Sequence, residues 1–385
     1  MKKIAREFAD IYRFFWKTPI GERSVVFYAE HEGYFAYFEG LIRELTELRG
    51  LTIAYITSDV KDPIFSMEAA KKGKIFPFYI RTLLPYFMLF VHSKVFVMTM
   101  TDLGQFHIKR SINQVHYVYL FHALVSTHMA YRESAFDSYD TILCAGPHQV
   151  AEIRQREKLK QLPPKNLMEA GYYRLERIYN SYKNFKHKRR DDKKVILIAP
   201  SWGKDNVLEA CGGYLIDKLL NAGYEVIVRP HPETIRRFPK LVDSFAVRFG
   251  NNDFFTLERS VASDDSILRA DVLISDTSGI TLEYSFGTER PVLFIDVPPK
   301  VRNENFRELE IKPIELALRD KIGIIVSPKK LDDIDQMIDN LISKKDDYQE
   351  SIRVLRAQYV YAFGQSSKIS SKYITDLITQ NVQKA

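Results

Sequence analysis

Residues Val272–Glu283 read VLISDTSGITLE. Three apolar residues, two of them β-branched, end at Ser275-Asp276, and Thr277-Ser278 open a segment of helical character. A buried strand that passes directly into a helix start is the repeating unit of a parallel α/β sheet. Hydroxyls and unpaired N–H groups at a helix N-terminus favour a phosphate. Glu283 follows about one and a half turns later, where an accessible carboxylate can accept two hydrogen bonds from a ribose diol. Ser275, Asp276, Thr277, Ser278 and Glu283 are therefore candidate nucleotide-binding residues. Ordinary capping by Ser278, with Glu283 a surface acid, fits the spacing equally well.

The same alternation extends in both directions. Val195–Ala199, Glu225–Arg229, Phe254–Leu257 and Pro291–Asp296 read as strands around it, with helices over 214–222, 263–269 and 279–286. Towards the N-terminus, 25–28, 51–57, 94–100, 114–121 and 141–145 read as a first set of strands, and 149–157 as a helix. The polar run KNFKHKRRDDKK at 183–194 interrupts the periodicity and reads as a linker. The expected organisation is a first lobe over 1–182, a linker over 183–193 and a second lobe over 194–350. Helices over 351–385 could return to the first lobe. The fold class is α/β, two Rossmann-like lobes with a cleft between them. Ligands of such sheets bind beyond the carboxyl ends of the strands, so chemistry is sought in the residues that follow each strand.

Three further strand ends carry reactive groups. VIVRPHPE (226–233) delivers Arg229 and then His231 between two prolines, which restrict the backbone and aim the imidazole. Arg229 beside it suits a phosphate-facing pocket. VYLFHALVSTH (118–128) places His122 at a strand end of the first lobe, with Ser126, Thr127 and His128 beyond it. VILIAPSWGK (195–204) offers Ser201, Trp202 and Lys204 for a base or a phosphate. Histidine exchanges protons near neutral pH, so a histidine at a strand end of each lobe suggests acid–base work in one cleft. A turn or core histidine is the plainer reading of either one alone.

Composition sets the limits. The 385 residues are 45% hydrophobic and 27% charged, which excludes a disordered chain or a fibre. A net charge of +7 suits phosphorylated substrates or an anionic surface and is too dispersed for nucleic acid. Cys144 and Cys211 cannot build a disulfide framework or a four-thiolate zinc site and are expected in the interior. There is no GxGxxG, no GxxxxGK[ST], no CxxC and no HExxH. Asp332-Asp333-Ile334-Asp335 reads as the acidic first turn of a helix, so metal-independent transfer without a resident cofactor is expected. No secretory signal or spanning helix is read. Ile4, Phe8, Ile11, Phe14 and Phe15 at helical spacing among basic residues, and the aromatic stretch 76–90, suggest an amphipathic approach to a membrane surface.

In order, FHA at His122, FDSYD (136–140), GYYRLE (171–176), APSW (199–202), RPHP (229–232) and SDTS (275–278) with Glu283 resemble the CDP-glycerol glycerophosphotransferase family, the teichoic-acid primases and polymerases. FHA stands where that family has WHG, and GYYRLE where it has GYPRxD. The resemblance implies a GT-B-like fold. It implies transfer of glycerol phosphate or a similar polyol phosphate from a CDP-activated donor to a hydroxyl of a lipid-linked or cell-surface glycan of the wall or capsule, releasing CMP. By position, His122 and His231 match the family's key histidines. Arg229, Ser275, Asp276, Thr277, Ser278, Glu283, Ser201 and Lys204 then serve the donor, and the enzyme works peripherally on the cytoplasmic face of the membrane. SDTSGITLE also resembles the UDP segment of sugar-nucleotide 2-epimerases, so a nucleotide-sugar glycosyltransferase or epimerase is the rival reading, and a non-catalytic assembly scaffold a second.

Overall fold

The computed structural model describes residues 2–186, 192–260 and 263–380. The chain forms two compact units. The first comprises Met1–His122, Tyr131–Tyr173 and Val360–Ala385, and the second Ala123–Ala130 and Arg174–Tyr359.

The first unit is built on a seven-stranded sheet. Its strands are β1 (Val25–Ala29), β2 (Ile53–Thr57), β3 (Ile75–Tyr79), β4 (Val95–Met98), β5 (His116–Leu120), β6 (Thr141–Cys144) and β7 (Asn166–Glu169). Their order is β3-β2-β1-β4-β5-β6-β7, and every neighbouring pair is parallel. β1, β2, β4 and β6 are buried at every position, as strands covered on both faces must be. Phe27, Phe38, Leu41, Ile53, Tyr55 and Val97 centre one of the cores, which Ile374 of the last helix, Ser366–Gln380, completes.

The second unit repeats the plan with β8 (Val195–Ile198), β9 (Glu225–Val228), β10 (Phe255–Leu257), β11 (Val272–Ser275), β12 (Val292–Ile295) and β13 (Gly323–Val326). Their order is β10-β9-β8-β11-β12-β13, again all parallel. In each sheet the order reverses at one point, between β1 and β4 and between β8 and β11. Crevices for ligands open at such points.

Several expectations are corrected. The chain passes into the second unit at Arg174, ahead of the polar stretch 183–193, of which residues 187–191 lie outside the described residues. Leu175 and Ile178 set this boundary. Both are fully buried, and Ile178 lies against Gly287, where an added Cβ would come within 2.5 Å of it. The C-terminal helices also part company. Lys345–Tyr359 belongs to the second unit and Ser366–Gln380 to the first. The aromatic stretch 76–90 is divided between β3 at its start and helix Leu84–Phe90 at its end. Cys144 and Cys211 are buried, unpaired thiols.

The N-terminal segment is helical from Lys2 to Tyr12 and widens to a π-turn over Arg13–Lys17. Its inner side is held by carboxylates as well as by apolar contact. Glu7 accepts the Arg81 and Leu83 N–H groups at 3.0 and 2.9 Å, and Asp10 accepts the Tyr79 N–H at 2.8 Å. Phe14 is wholly buried against Phe78 and Phe87. The outward apolar row is therefore Ile4, Phe8, Tyr12, Trp16 and Ile20, all exposed. Of the residues expected on that face, Phe14 turns inward, because it lies at helical spacing from Glu7 and Asp10 on the inner side.

Candidate active site

In the second unit, β8 and β11 end side by side, and the two loops that follow are fastened by one carboxylate. Asp276, 2% exposed, accepts the Ser201 N–H at 2.9 Å, the Ser201 hydroxyl at 2.7 Å and the Ser278 N–H at 3.0 Å. Ser275 donates its hydroxyl to the Ala199 carbonyl at 2.7 Å. These groups build the switch point. They also correct part of the expectation, because the Ser278 N–H and the Ser275 hydroxyl already have internal partners. Thr277 is buried and Ser278 half-buried at the mouth of helix Ile280–Thr288.

Glu283 is not the exposed acid that was expected. The helix that carries it is buried from Thr281 to Thr288, and Glu283 is 5% exposed. Its carboxylate accepts from Arg174 Nε at 3.0 Å. Arg174 also donates to Asp264 at 2.9 Å, which Arg177 reaches at 2.6 Å. Arg229 is likewise buried, donating to the Ser266 hydroxyl at 3.0 Å with Glu258 at 3.8 Å, and burial lowers its pKa. The candidate phosphate ligand Arg229 is thus part of an internal charge network beneath the strand ends. Arg174, whose place in GYYRLE was the only sequence signal for it, is the hub of that network.

The accessible groups gather elsewhere on the same sheet edge. His231 follows β9, and its Nδ1 accepts the Glu233 N–H at 3.1 Å, capping helix Pro232–Arg237. The cap fixes the orientation of the ring. Trp202, after β8, lies 6.1 Å from that ring, centre to centre. Lys300 Nζ sits 3.7 Å from the indole centroid, and Arg237 and Arg302 lie at 4.7 and 5.8 Å. Lys300 and Arg302 come from the loop after β12, which carried no motif. Lys204 is exposed on the loop after β8.

The first unit presents a second constellation, at the ends of β1 and β5. His122 follows β5, with Tyr34, Tyr37 and Tyr131 edge-on to its ring at 5.4, 6.1 and 5.9 Å. Its Nδ1 is enclosed without a hydrogen-bond partner. Burial, with His31 adding to it, pushes the imidazole down to about 4, so the ring is neutral at physiological pH. Glu30, after β1, is pushed up to about 7 by burial and by Asp102. A cavity of about 260 Å³ opens beside Glu30 and His31, bordered by Ser58, Asp59, Lys61 and Arg81. Ser126 and His128, beyond His122, are structural: Ser126 binds Glu315 through its N–H and hydroxyl, and His128 Nε2 meets the Ile311 carbonyl at 2.9 Å. Among the described residues no three His, Cys, Asp or Glu side chains gather as a metal site.

Solved structures share this architecture. Over 99% of this chain and 94% of the other, it is similar to the wall teichoic acid polymerase TagF soaked with CDPG, at 14% identity and a TM-score of 0.64. An S. aureus MnaA–UDP co-structure matches at 16% identity and 0.58, over 93% of this chain and 98% of the other. The UDP-GlcNAc 2-epimerase from Neisseria meningitidis bound to UDP-GlcNAc matches at 12% and 0.57, over 91% and 99%. At these identities the likeness is one of fold, the GT-B arrangement of two parallel-sheet α/β domains. No curated protein sequence matches the chain. The family model of CDP-Glycerol:Poly(glycerophosphate) glycerophosphotransferase matches residues 10–300, which span the first sheet, the second sheet as far as β12, and the motifs from FHA to SDTS with Glu283. The chain belongs to the CDP-glycerol glycerophosphotransferase family and is an enzyme of that phosphotransferase type.

Proposed function

We propose that the protein transfers a polyol phosphate, glycerol phosphate or a close relative, from a CDP-activated donor to a hydroxyl of a lipid-linked or cell-surface glycan. The observation that carries this reading is the pairing of Ser201 and Ser278 on Asp276. It fastens the loops after β8 and β11 together at the second switch point, on the sheet edge that also carries His231 and Trp202, which supports the reading of a nucleotide crevice there. In this reading the donor nucleotide lies along Thr277 and Ser278, and Glu283 and Arg229 support the crevice from below. The acceptor oxygen attacks the phosphorus that bears the polyol. The bond from that phosphorus to the bridging oxygen breaks, and CMP leaves with the bridging oxygen. His122, held neutral, takes the hydroxyl proton. His231 stabilises charge on the leaving phosphate. Such transfer depends on positioning and charge stabilisation more than on covalent help. The cavity beside Glu30 and His31 seats the acceptor.

The acceptor's lipid places the enzyme on the inner face of the cell membrane. No helix among the described residues is long and apolar enough to cross a membrane. The reading is supported by the row Ile4, Phe8, Tyr12, Trp16, Ile20, with Tyr86 and Phe90 of the adjoining helix also exposed. Aromatic residues beside basic ones suit the headgroup layer.

A donor screen tests the whole. CDP-glycerol, CDP-ribitol, UDP-GlcNAc and CMP-linked sugars are supplied with lipid-linked acceptor, and CMP or UDP release is measured. Release of CMP from a CDP-polyol is expected. Turnover of UDP-GlcNAc alone would replace the reading with that of a nucleotide-sugar enzyme.

A further inference from the structure

We propose that the cavity beyond the carboxyl ends of β1, β2 and β3 binds a phosphate ester carried by the acceptor, with Lys61 and Arg81 as its main ligands. The proposal rests on the acceptor reading above and deepens it, by naming the group of the acceptor that the first unit holds.

The three strand ends are fastened to one another. The Ser58 N–H donates to the Ala29 carbonyl at 3.1 Å, the Ile80 N–H to the Thr57 carbonyl at 2.9 Å, and the Ser58 hydroxyl to the Ile80 carbonyl at 2.7 Å. Glu7 of the first helix holds the Arg81 N–H at 3.0 Å. The cavity they enclose, about 260 Å³, exceeds what a few waters fill, and Lys3, Lys61 and Arg81 border it. None of these three side chains has an ion pair or a hydrogen bond among the described residues. Two carboxyl groups oppose them. Asp59 turns its oxygens to the Lys61 N–H at 3.0 Å and the Glu32 N–H at 3.4 Å. Glu30 is pushed up to about 7 by burial, then by Asp102. His31, whose Nδ1 accepts the Gly33 N–H at 3.1 Å, adds no charge at neutral pH, because burial lowers its pKa. Three cations against at most two carboxylates leave the wall net positive, which suits an anion. A protonated Glu30 can also donate to a phosphate oxygen.

Position ties this anion to the acceptor. The ring of His31, at the cavity, lies 4.3 Å from that of Tyr34, and Tyr34 lies 5.4 Å from that of His122, centre to centre. A molecule that spans Tyr34 therefore presents a hydroxyl to His122 and a phosphate to the cavity. Lys3 belongs to the helix whose outward row includes the exposed Ile4 and Phe8. That continuity favours a phosphate borne on an apolar chain over a soluble one.

Calorimetric titration of the full chain with octyl phosphate, octanol and glycerol 3-phosphate tests the cavity without turnover. Octyl phosphate is expected to bind more tightly than octanol by about tenfold or more, the scale of a charge-assisted hydrogen bond. Lys61→Gln with Arg81→Gln changes only exposed positions. It should erase that difference and leave the melting temperature unchanged. The charge-conserving pair Lys61→Arg with Arg81→Lys should retain most of the difference. Octyl phosphate should also compete with lipid-linked acceptor, raising its apparent KM for CMP release from CDP-glycerol at unchanged kcat. Equal affinity for octyl phosphate and octanol, or a difference that survives both glutamines, overturns the cavity and leaves the acceptor reading standing. Binding as expected with no change in KM overturns the assignment to the acceptor. Glycerol 3-phosphate that binds as tightly as octyl phosphate, and is lost in the glutamine pair, sustains the phosphate site and overturns the part given to an apolar chain. A chain that releases no CMP from any CDP-polyol, yet binds octyl phosphate through Lys61 and Arg81, fails the acceptor reading and keeps the cavity.

Discussion

Arg174 and Glu283, 109 residues apart in sequence, meet at 3.0 Å with both side chains only 7% exposed. Removing Glu283 leaves Arg174 on Asp264, which Arg177 also engages, so one buried charge-assisted hydrogen bond is lost at a cost of about 1–3 kcal/mol. Glu283→Ala is thus expected to lower the stability of the second unit by that order, and not merely to weaken nucleotide binding. Thermal unfolding with and without CDP checks it. A variant with wild-type melting temperature would show that the pair contributes nothing to the fold.

His231→Ala should reduce turnover by a factor on the order of 100 or more, the scale for a group acting on developing charge. It also removes the cap on the Glu233 N–H, at about 1 kcal/mol. His231→Asn can retain a cap through its side-chain oxygen. Steady-state rates for the two variants should fall together while their stabilities differ. A well-folded Asn variant with normal turnover would end the catalytic assignment.

Two half-buried groups in the first unit give opposite pH dependences. The unfolded chain protonates His122 below pH 6.5, whereas the folded chain resists until about 4. Its contribution therefore falls as pH falls through that window. Glu30 keeps its proton in the folded chain up to about pH 7, whereas its ordinary value is 4.5. Its contribution falls as pH rises from 4.5 to 7. Denaturant midpoints measured from pH 4 to 7 should thus rise more steeply with pH in Glu30→Gln than in the wild type. In His122→Phe they should turn downward. Parallel profiles for all three proteins would mean that neither group is buried as described.

The central strands were legible because burial on both faces demands unbroken apolar runs, as in Val25–Ala29 and Val272–Ser275. The strands that escaped reading are edges. β3 contains Pro77, β7 reads NLME with no fully buried position, and β13 opens with Gly323. Edge strands tolerate proline and polarity. At the site, residues that follow strands could be listed from sequence, but not which of them stay open. Glu283 and Arg229 are buried because of Arg174, Ser266 and Glu258, partners that only the folded chain supplies. Lys300 and Arg302 had no local signature at all.

For the membrane reading, substitution is a better test than truncation. Removing the first helix would strip Glu7 and Asp10 from the backbone N–H groups of Tyr79, Arg81 and Leu83. Phe8→Asp with Trp16→Asp changes only exposed positions, 61% and 69% accessible. The wild type should co-sediment with anionic liposomes at low salt, and the double variant should lose most of that binding with its melting temperature unchanged. A wild type that stays in the supernatant removes the surface attachment.

Gly171, in the GYYRLE segment, has φ +82°, and a Cβ there would lie 2.4 Å from the Tyr361 carbonyl oxygen. Gly171→Ala should cost about 1–3 kcal/mol through strain and overlap, readable as a lower urea midpoint. An unchanged midpoint would show that this backbone approach is not required.

The chain moves from one unit to the other four times, after His122, Ala130, Tyr173 and Tyr359. Helix Ser366–Gln380 supplies Tyr373 to Thr141 and Asn166, Ser371 to Arg49, and the Ile378 carbonyl to Lys94. During synthesis, the first seven strands leave the ribosome long before the helix that completes their packing. The second sheet is made in the interval. The nascent first sheet therefore waits with part of its core open, which is when such intermediates are prone to aggregate. Neither unit is a contiguous fragment, so cutting the gene at the polar stretch yields an incomplete first half. Expression of both units depends on the distal coding sequence.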